Sequence, residues 1–541
     1  MRPFLTLHHP ANAMAYYKAA LWQNDTFYGL LLHNAGNFGD RLALVDSRRS
    51  LTWRQLKEWV DGIAAELRAF GLVDGDRVCA WMSNRTESIA LFLACSREGF
   101  AYNPSLHRSH TCADVASLLR LLDCRALVTE AGWGADRDTV NFDTILSEVD
   151  SLKVVFQAND LPPAAPNLTP WRSDPDRVVY IAFTSGTTGA PKCVMHSDNT
   201  LLANARELVR DWHHNDSTVI LSLSPLSHHI AWVAVGQWLL AACRMVTNDP
   251  PQGMTPLDWI IQTGATYVMG VPTHAIDILA EARRRRSDLG SVNVFYMAGA
   301  PIPPAVCEEL LAMNITPQNV YGMTENSSHQ YTLPTDGADV IVNTCGKGGQ
   351  AYEVAVFDVN DHNKMLPRNH VGQIGGKGAA MMLGYFGLQG ATAESFNDTG
   401  WFMSGDLGVM DETGNLSIVG RLKDTIIRGG HNIYPSTIEA LAMRHPQVSQ
   451  AACIPVPDER LGERVCLAVQ GSVPREALMN HLRVSGLSRY DMPEFFLKVN
   501  EFPLTASGKI LKRRLAELVA RKVYIPEAVT VTADRLAIGS R

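Results

Sequence analysis

Residues 183–196 read FTSGTTGAPKCVMH and gather small hydrogen-bonding side chains around one lysine. Backbone N–H groups in a glycine-containing loop, helped by hydroxyl groups, can surround an anion, so the segment predicts a phosphate-binding loop. The pattern G-x-x-x-x-G-K-[ST] does not fit, because Pro191 stands at its second glycine and Cys193 follows Lys192. The following KCVMHS has the branched centre of a strand, so we expect a strand–loop–strand arrangement.

The composition is that of an ordinary globular protein. A chain of 541 residues exceeds one typical domain, so we expect two or more. The net charge of −7, without a basic stripe, predicts no nucleic-acid partner. Ten cysteines without a C-x-x-C motif favour free thiols in a reducing compartment. Without a signal-peptide core or an apolar stretch long enough to span a membrane, the chain is expected to be cytoplasmic.

Apolar runs of strand length alternate with helical patterns, which is typical of a layered α/β fold. Residues 50–72 predict a helix that ends at Gly71, with an apolar face of Leu56, Val60, Ile63, Ala64 and Leu67. Buried strands are predicted at DRVCAWM, RALVTE, VVYIAF, VILSLSP, RMVTN, ATYVMGVP and NVFYMAG. After GRLKD the pattern restarts. We expect a large domain over residues 1–422, with mostly buried sheets flanked by helices, and a small mobile α+β domain over 423–541.

Other segments carry polar residues suited to chemistry: SPLSHHIAWV (224–233), NVYGMTENSS (319–328), GWFMSGDLG (400–408), GRLKDTIIRGGHNIYP (420–435) and PLTASGKILKRRL (503–515). Taken singly, each also has a structural interpretation. Asp406 between glycines is typical of a turn residue. Thr324 and Glu325 are also consistent with the cap and first residue of a helix. Lys509 is also consistent with an ordinary surface lysine. The HRSHTC segment contains possible metal ligands but lacks a fourth one.

The order of these motifs resembles the adenylate-forming superfamily of acyl-CoA synthetases, peptide-synthetase adenylation domains and luciferases. The resemblance rests on YIAFTSGTTGAPK, YGMTE, SGDLG, GRLKDTIIRGGHNIYP and PLTASGK and covers nearly the whole chain. It implies that a carboxylate attacks the α-phosphate of ATP, giving an acyl-adenylate and pyrophosphate. The thiol of coenzyme A, or of a carrier-bound phosphopantetheine, then displaces AMP. One departure is Cys193, where the family usually has glycine.

The resemblance implies a nucleotide site with Mg²⁺ on Glu325 and Thr184. Tyr321 would stack on adenine, and Asp406 and Arg421 would contact the ribose. The phosphate loop would comprise Thr184, Ser185, Gly186, Thr187, Thr188, Gly189 and Lys192. The other implied cofactor-binding residues are Gly299, Ala300, Pro301, Gly322, Met323, Lys423, Gly429 and Gly430.

Catalytic roles are implied for Lys509, Thr324, Glu325 and His228. Thr324 would donate to the α-phosphate, and Lys509 would reach the carboxylate and the α-phosphate as negative charge builds there. His228 matches the family position beside the carboxylate pocket and the coenzyme A tunnel. Lys423 falls at the hinge about which the small domain is expected to rotate, which would replace Lys509 with the RGGHNIYP loop at the thiol channel.

The acid pocket is expected to be lined by His229, Trp232, Ala298 and Ser327. Residues 229–235 contain no Asp or Glu, whereas an α-amino acid would need an anion for its ammonium group. Trp232 and Met323 would give an apolar, adaptable lining. GGKGAAMMLGYFG also looks similar to ligases for cyclohexane- and cyclohexene-carboxylate. We therefore expect an apolar monocarboxylate, cyclic or medium-sized.

The leading interpretation is an acyl-CoA ligase that uses ATP, Mg²⁺ and coenzyme A. The alternative is a stand-alone adenylating enzyme that loads an acyl carrier protein, because ALWQNDTFYGLLLHNAGNFGDRLAL resembles aryl-acid adenylating enzymes of siderophore pathways. RGGHNIYPSTIE favours the ligase. A nucleotide-binding regulator without catalysis is disfavoured, since binding alone does not need the mobile Lys509. A homodimer stays open, because dimers are common in such families.

Overall fold

The structure, a computed structural model, describes residues 3–166, 169–184, 191–504 and 510–529. In these residues the strands are β1 (Leu42–Val45), β2 (Ser50–Thr52), β3 (Arg77–Trp81), β4 (Ala101–Asn103), β5 (Cys124–Thr129), β6 (Val154–Gln157), β7 (Val178–Thr184), β8 (Lys192–Ser197), β9 (Val219–Ser222), β10 (Arg244–Thr247), β11 (Tyr267–Gly270), β12 (Val294–Met297), β13 (Thr316–Met323), β14 (Ser327–Tyr331), β15 (Tyr352–Phe357), β16 (Gly372–Gly378), β17 (Phe402–Met410), β18 (Leu416–Arg421), β19 (Ile426–Arg428), β20 (His431–Ile433), β21 (Val448–Asp458), β22 (Gly462–Gly471), β23 (Phe495–Lys498) and β24 (Glu527–Ala528).

The α-helices of the same residues are α1 (Pro10–Lys18), α2 (Phe27–Phe38), α3 (Trp53–Ala69), α4 (Thr86–Glu98), α5 (Cys112–Leu122), α6 (Phe142–Leu146), α7 (Asp198–Asp211), α8 (His229–Ala241), α9 (Pro256–Thr263), α10 (Pro272–Arg285), α11 (Pro304–Ala312), α12 (Ala338–Asn343), α13 (Gln389–Ala393), α14 (Pro435–Met443), α15 (Arg475–Val484) and α16 (Lys512–Ala520). Short 3₁₀ helices occur at Ala158–Asp160 and Leu422–Asp424.

Helix α3 shows how local sequence sets the packing. The Thr52 side chain accepts a hydrogen bond from the Gln55 N–H and Gln55 bonds back, which satisfies two N–H groups at the helix start. The apolar face predicted from the sequence is buried as expected. Just past the helix end, Gly71 has φ +74°, a conformation that glycine adopts without a steric penalty.

Two sheets build the core of the larger part of the chain. One has eight strands in the order β14-β13-β12-β11-β9-β10-β1-β2, and the other has six in the order β6-β5-β3-β4-β7-β8. The strands from β9 to β13 pair in parallel, which explains their continuous apolar runs, since such strands are buried on both faces. All the strands predicted above are present. The expectation of a layered α/β fold is confirmed.

The chain divides into two compact units. The first contains Met1–Ala355, Gly375–Met403 and Asp411–Ser417, and the second contains Val356–Ile374, Ser404–Met410 and Ile418–Arg541. The predicted boundary between residues 422 and 423 falls inside the second unit, shortly after its longest segment begins. The domain limits and the hinge at Lys423 therefore stay predictions.

The second unit has its own sheet and core. The sheet has the order β20-β19-β22-β23-β24, with β21 paired to β22, and it is accompanied by α14, α15 and α16. Ile426, Ile438 and Leu467 are fully buried in its apolar core. This is the small α+β domain expected from the sequence. Strands β15 to β18 form a further four-stranded sheet in that order.

All ten cysteines are free and buried. Cys193, on β8, packs in an apolar cluster with Ile181, Met195 and Phe386, and its side chain is 2% exposed. The Cys193 side chain is therefore part of the apolar core. Among the described helices, none combines the length and the apolar character needed to cross a membrane.

Candidate active site

The carboxyl ends of parallel strands bring separate segments to one sheet edge. Strands β9, β11, β12 and β13 run in the same direction, so the residues that follow them lie on the same side of the sheet. These residues are the histidine pair after β9, Val271 after β11, residues 298–301 after β12 and residues 324–326 after β13. Ligands of open α/β folds commonly bind at such an edge.

Thr324 and Glu325 lie at the tip of a tight hairpin between β13 and β14, in which Met323 pairs with Ser327. A Cβ atom on Gly322 would lie 1.8 Å from the Ser327 carbonyl oxygen, so this close approach requires glycine. The interpretation of Thr324 and Glu325 as a helix start is therefore wrong. Tyr321 lies within β13, two residues before the strand ends.

The Glu325 carboxylate is held by a buried tyrosine. The Tyr385 hydroxyl donates to Glu325 Oε1 at 3.0 Å, and the Met382 N–H donates to the Glu325 carbonyl at 2.7 Å. Burial, and then the charge of Glu325, raise the pKa of Tyr385, so the phenol keeps its proton. Lys192 Nζ lies 4.6 Å from the centre of the Tyr385 ring. Tyr385 therefore lies between Lys192, which is near its ring, and Glu325, which accepts from its hydroxyl.

The two ends of the predicted phosphate loop are neighbours. Thr184 on β7 pairs with Lys192 on β8, and Thr184 Oγ1 lies 3.4 Å from the Lys192 carbonyl oxygen. The predicted loop residues Ser185, Gly186, Thr187, Thr188 and Gly189 lie outside the described residues, and so does Lys509. The two strands expected on either side of this loop are present as β7 and β8.

The histidine pair begins helix α8. The His228 ring stacks on His107 with centroids 4.6 Å apart. His229 Nε2 lies 3.0 Å from Ser327 Oγ, and its Nδ1 lies 3.4 Å from the Tyr180 hydroxyl. Burial, followed by the neighbouring His196, lowers the pKa of His229 well below 6.5, so its imidazole is neutral. The structure thus joins two predicted substrate residues, His229 and Ser327.

The residues expected to line the acid pocket differ in their exposure to solvent. Trp232 is 2% exposed, donates its indole N–H to the Leu226 carbonyl at 2.7 Å and packs on three aromatic rings, those of Phe92, Tyr102 and Tyr180. It is therefore a core residue in this structure, contrary to the expectation of an accessible pocket wall. Ala298 is also buried, whereas Ala300 and Pro301 are exposed.

Gly299 leaves space beside apolar side chains. It has φ +87°, and a Cβ atom built on it would lie 3.7 Å from both Ile230 Cδ1 and Val271 Cγ1. Both of these side chains are partly exposed. The sheet edge therefore carries an apolar rim next to the neutral His229.

In the second unit, the two predicted ribose ligands lie together. Arg421 Nε lies 3.1 Å from Asp406 Oδ1, and the Asp406 N–H donates to Ser404 Oγ at 3.1 Å. The Asp406 side chain is 9% exposed and that of Arg421 is 52% exposed, so the pair joins a fixed carboxylate to a solvent-facing cation. Two oxygens of one carboxylate can accept hydrogen bonds from a vicinal diol.

Other predicted residues of the second unit lie in turns. Gly429 and Gly430 connect β19 to β20 in a hairpin in which Arg428 pairs with His431. Both glycines have positive φ, +59° and +85°, as a two-residue type I′ turn requires. Lys423 is the middle residue of the 3₁₀ helix at Leu422–Asp424.

The donor set fits a Mg²⁺ ion that shares its ligands with a nucleotide. Glu325 offers a carboxylate and Thr184 a hydroxyl, both of which are oxygen donors of the kind that Mg²⁺ prefers. Mg²⁺ is usually bound through one or two carboxylates together with substrate phosphates. Within the described ranges, no group of three or more His, Cys, Asp or Glu side chains is placed to hold a metal by itself.

Several residues that sequence reasoning missed support this site. Tyr385 lies in the segment GGKGAAMMLGYFG, but nothing in that segment indicated a role for it. His196 was predicted only to lie in the strand KCVMHS. Tyr180 entered only as the first residue of the motif YIAFTSGTTGAPK, and His107 only as a possible metal ligand in HRSHTC. Their contacts join segments that are far apart in sequence, such as His196 and Thr324, which are separated by 128 residues.

The fold and the site together define an adenylate-forming enzyme. The sequence model of AMP-binding enzymes matches residues 31–386, and that of the AMP-binding enzyme C-terminal domain matches residues 437–509. The chain therefore belongs to the AMP-binding enzyme family, whose members are ATP-dependent ligases.

Relatives of known activity align along nearly the whole chain. The medium-chain fatty-acid–CoA ligase of Escherichia coli (strain K12) is 28% identical over 543 residues, which cover 97% of this chain and 95% of the relative. The 2,3-dihydroxybenzoate-AMP ligase of Bacillus subtilis (strain 168) is 28% identical over 527 residues, covering 94% and 97%. The crystal structure of ATP-bound MatB from Rhodopseudomonas palustris has a TM-score of 0.81 at 26% identity, covering 92% and 99%.

A buried histidine beside Tyr321 gives a test of the packing at this edge. His329 is 1% exposed, lies between the rings of Tyr321 and Tyr352, and has no hydrogen-bond partner in the described residues for either ring nitrogen. Burial lowers the pKa of His329 from 6.5 to about 3. As the pH falls below 6.5 the unfolded chain takes up a proton that the folded chain does not, so folding is progressively disfavoured down to about pH 3.

We predict that His329→Phe raises the free energy of unfolding by about 1 kcal/mol near neutral pH, because two unpaired nitrogens are no longer buried. The difference between variant and wild type should widen as the pH is lowered from neutral, because the variant lacks the proton uptake. Urea unfolding at several pH values measures this difference. A difference that stays constant with pH would show that His329 has a polar partner in solution.

Proposed function

We propose that the protein is an acyl-CoA ligase that activates an apolar monocarboxylic acid with ATP and transfers the acyl group to coenzyme A. The observation that carries the proposal is the hairpin tip, where Thr324 and Glu325 are fixed at the edge of parallel strands with Glu325 bonded to Tyr385. The membership of the AMP-binding enzyme family and the ligase relatives support it.

In the first half-reaction, a carboxylate oxygen of the acid attacks the α-phosphorus of ATP. The bond from this phosphorus to the bridging oxygen breaks, and pyrophosphate leaves. We assign the donor to the α-phosphate to Thr324 and the cation beside the outer phosphates to Lys192. We assign Tyr321 to contact with adenine. Asp406 and Arg421 are assigned to contact with the ribose. Glu325 and Thr184 would hold Mg²⁺, which would neutralise phosphate charge when it is bound with the nucleotide.

In the second half-reaction, the thiol of coenzyme A attacks the acyl carbonyl carbon and AMP leaves with the electrons of the broken acyl–oxygen bond. We assign the turn Gly429–Gly430 to the thiol path and His228 to the passage near the acid. Lys423 is the proposed hinge between the two half-reactions. Comparison of Lys423→Pro with Lys423→Ala tests it, because only proline removes the N–H and fixes φ, and only proline should block acyl transfer selectively.

The proposed acid is apolar, and cyclic or medium-sized. Ile230 and Val271 flank Gly299, and His229 and Ser327, two polar residues of the same sheet edge, are neutral. An ammonium group would lack an anionic partner in residues 229–235. The free buried cysteines also support a reducing location such as the cytoplasm.

The alternative acceptor is a phosphopantetheinyl carrier protein. The similarity to the 2,3-dihydroxybenzoate-AMP ligase of Bacillus subtilis and to enterobactin synthase component E of Escherichia coli supports this alternative. Both acceptors present the same thiol, so the first half-reaction does not separate them. A homodimer remains a further prediction, for which sedimentation of the purified protein is the direct measurement.

We predict CoA thioester formation with ATP and Mg²⁺ for apolar cyclic or medium-chain acids in a panel that also contains amino, aryl and dicarboxylic acids. Mass spectrometry of the thioester, with equimolar AMP and pyrophosphate, gives the readout. A parallel reaction with a phosphopantetheinylated carrier protein separates the two acceptors. Preference for a zwitterionic amino acid or a dicarboxylate would contradict the acid assignment, and acylation of the carrier alone would contradict the ligase.

We predict that Lys509→Ala lowers adenylate formation by about 10²–10³-fold, the loss typical of one well-placed electrostatic stabiliser. Thioester formation from a supplied acyl-adenylate should be spared. Acid-dependent ATP–pyrophosphate exchange measures the first half-reaction. Lys498→Ala, which removes an exposed lysine of the same unit, is the matched control. Exchange at nearly the wild-type rate in Lys509→Ala would show that another cation assists the reaction.

A further inference from the structure

We propose that His196 is a positioning residue that holds the tip of the β13–β14 hairpin through its backbone and so orients Thr324 and Glu325. The inference rests on the proposed function of these two residues. His196 lies on β8, in the other sheet of the first unit, and is fully buried. It therefore acts across the two sheets and has no direct access to substrate.

The contact is a short hydrogen bond to the backbone of the tip. His196 Nε2 lies 2.6 Å from the Thr324 carbonyl oxygen, and His196 Nδ1 lies 3.0 Å from Thr200 Oγ1. A carbonyl can only accept, so the ring proton sits on Nε2 and points at Thr324. Nδ1 then faces the Thr200 hydroxyl, whose one proton is shared between Nδ1 and the Ser197 carbonyl oxygen at 3.1 Å. Both ring nitrogens have a partner within hydrogen-bond distance, and the Thr324 carbonyl fixes the tautomer.

The imidazole stays neutral. Burial lowers the pKa of His196 to about 4, although the bond to Thr324 acts in the opposite direction. The ring stacks on that of His229, with centroids 5.5 Å apart and an interplanar angle of 23°. Protonating either ring would place a cation against its neighbour in a buried setting. The pair therefore acts through directed hydrogen bonds and not through charge.

His229 fixes the other end of the tip. Its Nε2 lies 3.0 Å from Ser327 Oγ, three residues after the carbonyl that His196 holds. Ser327 has φ +57°, a left-handed conformation that a non-glycine residue keeps only where its surroundings hold it. The two stacked histidines therefore hold both flanks of the turn that contains Glu325, while the Met382 N–H and the Tyr385 hydroxyl hold Glu325 itself.

The consequence is a fixed direction for the Thr324 and Glu325 side chains. Loss of the bond at the Thr324 carbonyl would free the first residue of the tip to rotate about its backbone. Groups that orient a metal ligand from behind typically change metal affinity or activity by about 10–100-fold when they are removed. A purely structural histidine would change stability without this selective loss.

The test compares His196→Gln with His196→Asn. The amide nitrogen of glutamine reaches the position of Nε2 and can donate to the Thr324 carbonyl, whereas that of asparagine reaches only the position of Nδ1. We expect the glutamine variant to retain ATP–pyrophosphate exchange and the asparagine variant to lose about 10–100-fold in kcat. The KM for the acid should change little, and the dissociation constant for MgATP, measured by calorimetry, should follow the same order.

His214, a half-buried histidine, provides the control for loss of a histidine side chain. Burial also lowers its pKa to about 4, and its Nε2 lies 3.0 Å from Gln237 Oε1, away from the hairpin tip. His214→Gln and His214→Asn should show no such split in exchange or in MgATP binding. Melting temperatures of all four variants report the structural cost of each change.

A ratio near one between His196→Gln and His196→Asn, in both exchange and MgATP binding, would overturn the proposal. A split of equal size at His214 would also overturn it, because the effect would then be general to buried histidines. Glu325→Gln separates failure of this inference from failure of the proposed function. Wild-type exchange in Glu325→Gln would remove the assigned role of the tip carboxylate, whatever the result at His196.

Discussion

The parallel alignment of β9, β11, β12 and β13 is the constraint on which the site of the first unit depends. Because these strands end at one edge, segments about a hundred residues apart in sequence contribute to one surface. A single register shift at β13 would turn Tyr321 and Met323 to the other face. The close approach at Gly322, where no Cβ fits, fixes the register with β14 at the point where the tip begins.

The second feature of the site is the neutrality of its buried polar groups. His196, His229 and Tyr385 are kept in their uncharged forms by burial, as their pKa shifts show. Charge is concentrated on Glu325 and Lys192, which are separated by the Tyr385 ring. An uncharged surround suits a reaction on phosphate, because its dipoles are already oriented before negative charge develops.

Much of the fold followed from the sequence. The strand runs and the α3 helix could be predicted because their apolar periodicity and capping residues are local signals. The family motifs indicated Thr324, Glu325, Asp406 and Arg421, and the structure places the last two in contact. The hairpin at Thr324 could not be distinguished from a helix start, because the decisive contact, that of Gly322 with the Ser327 carbonyl, depends on pairing with β14.

Other parts of the site depend on tertiary contacts alone. Trp232 carried an apolar signal that fits a pocket wall and a core equally well, and packing against Phe92 and Tyr180 decides for the core. His196 sits in the same segment as the phosphate loop, yet its partner at Thr324 is 128 residues away. No local pattern indicates such a pair.

The most direct measurement of the central claim is a crystal structure with a non-hydrolysable acyl-adenylate analogue. The account predicts that the group replacing the α-phosphate lies within hydrogen-bonding distance of the Thr324 hydroxyl. Adenine should stack on the Tyr321 ring, and both ribose hydroxyls should donate to Asp406. An analogue bound away from the β13–β14 hairpin tip, or with its ribose far from Asp406, would contradict the account.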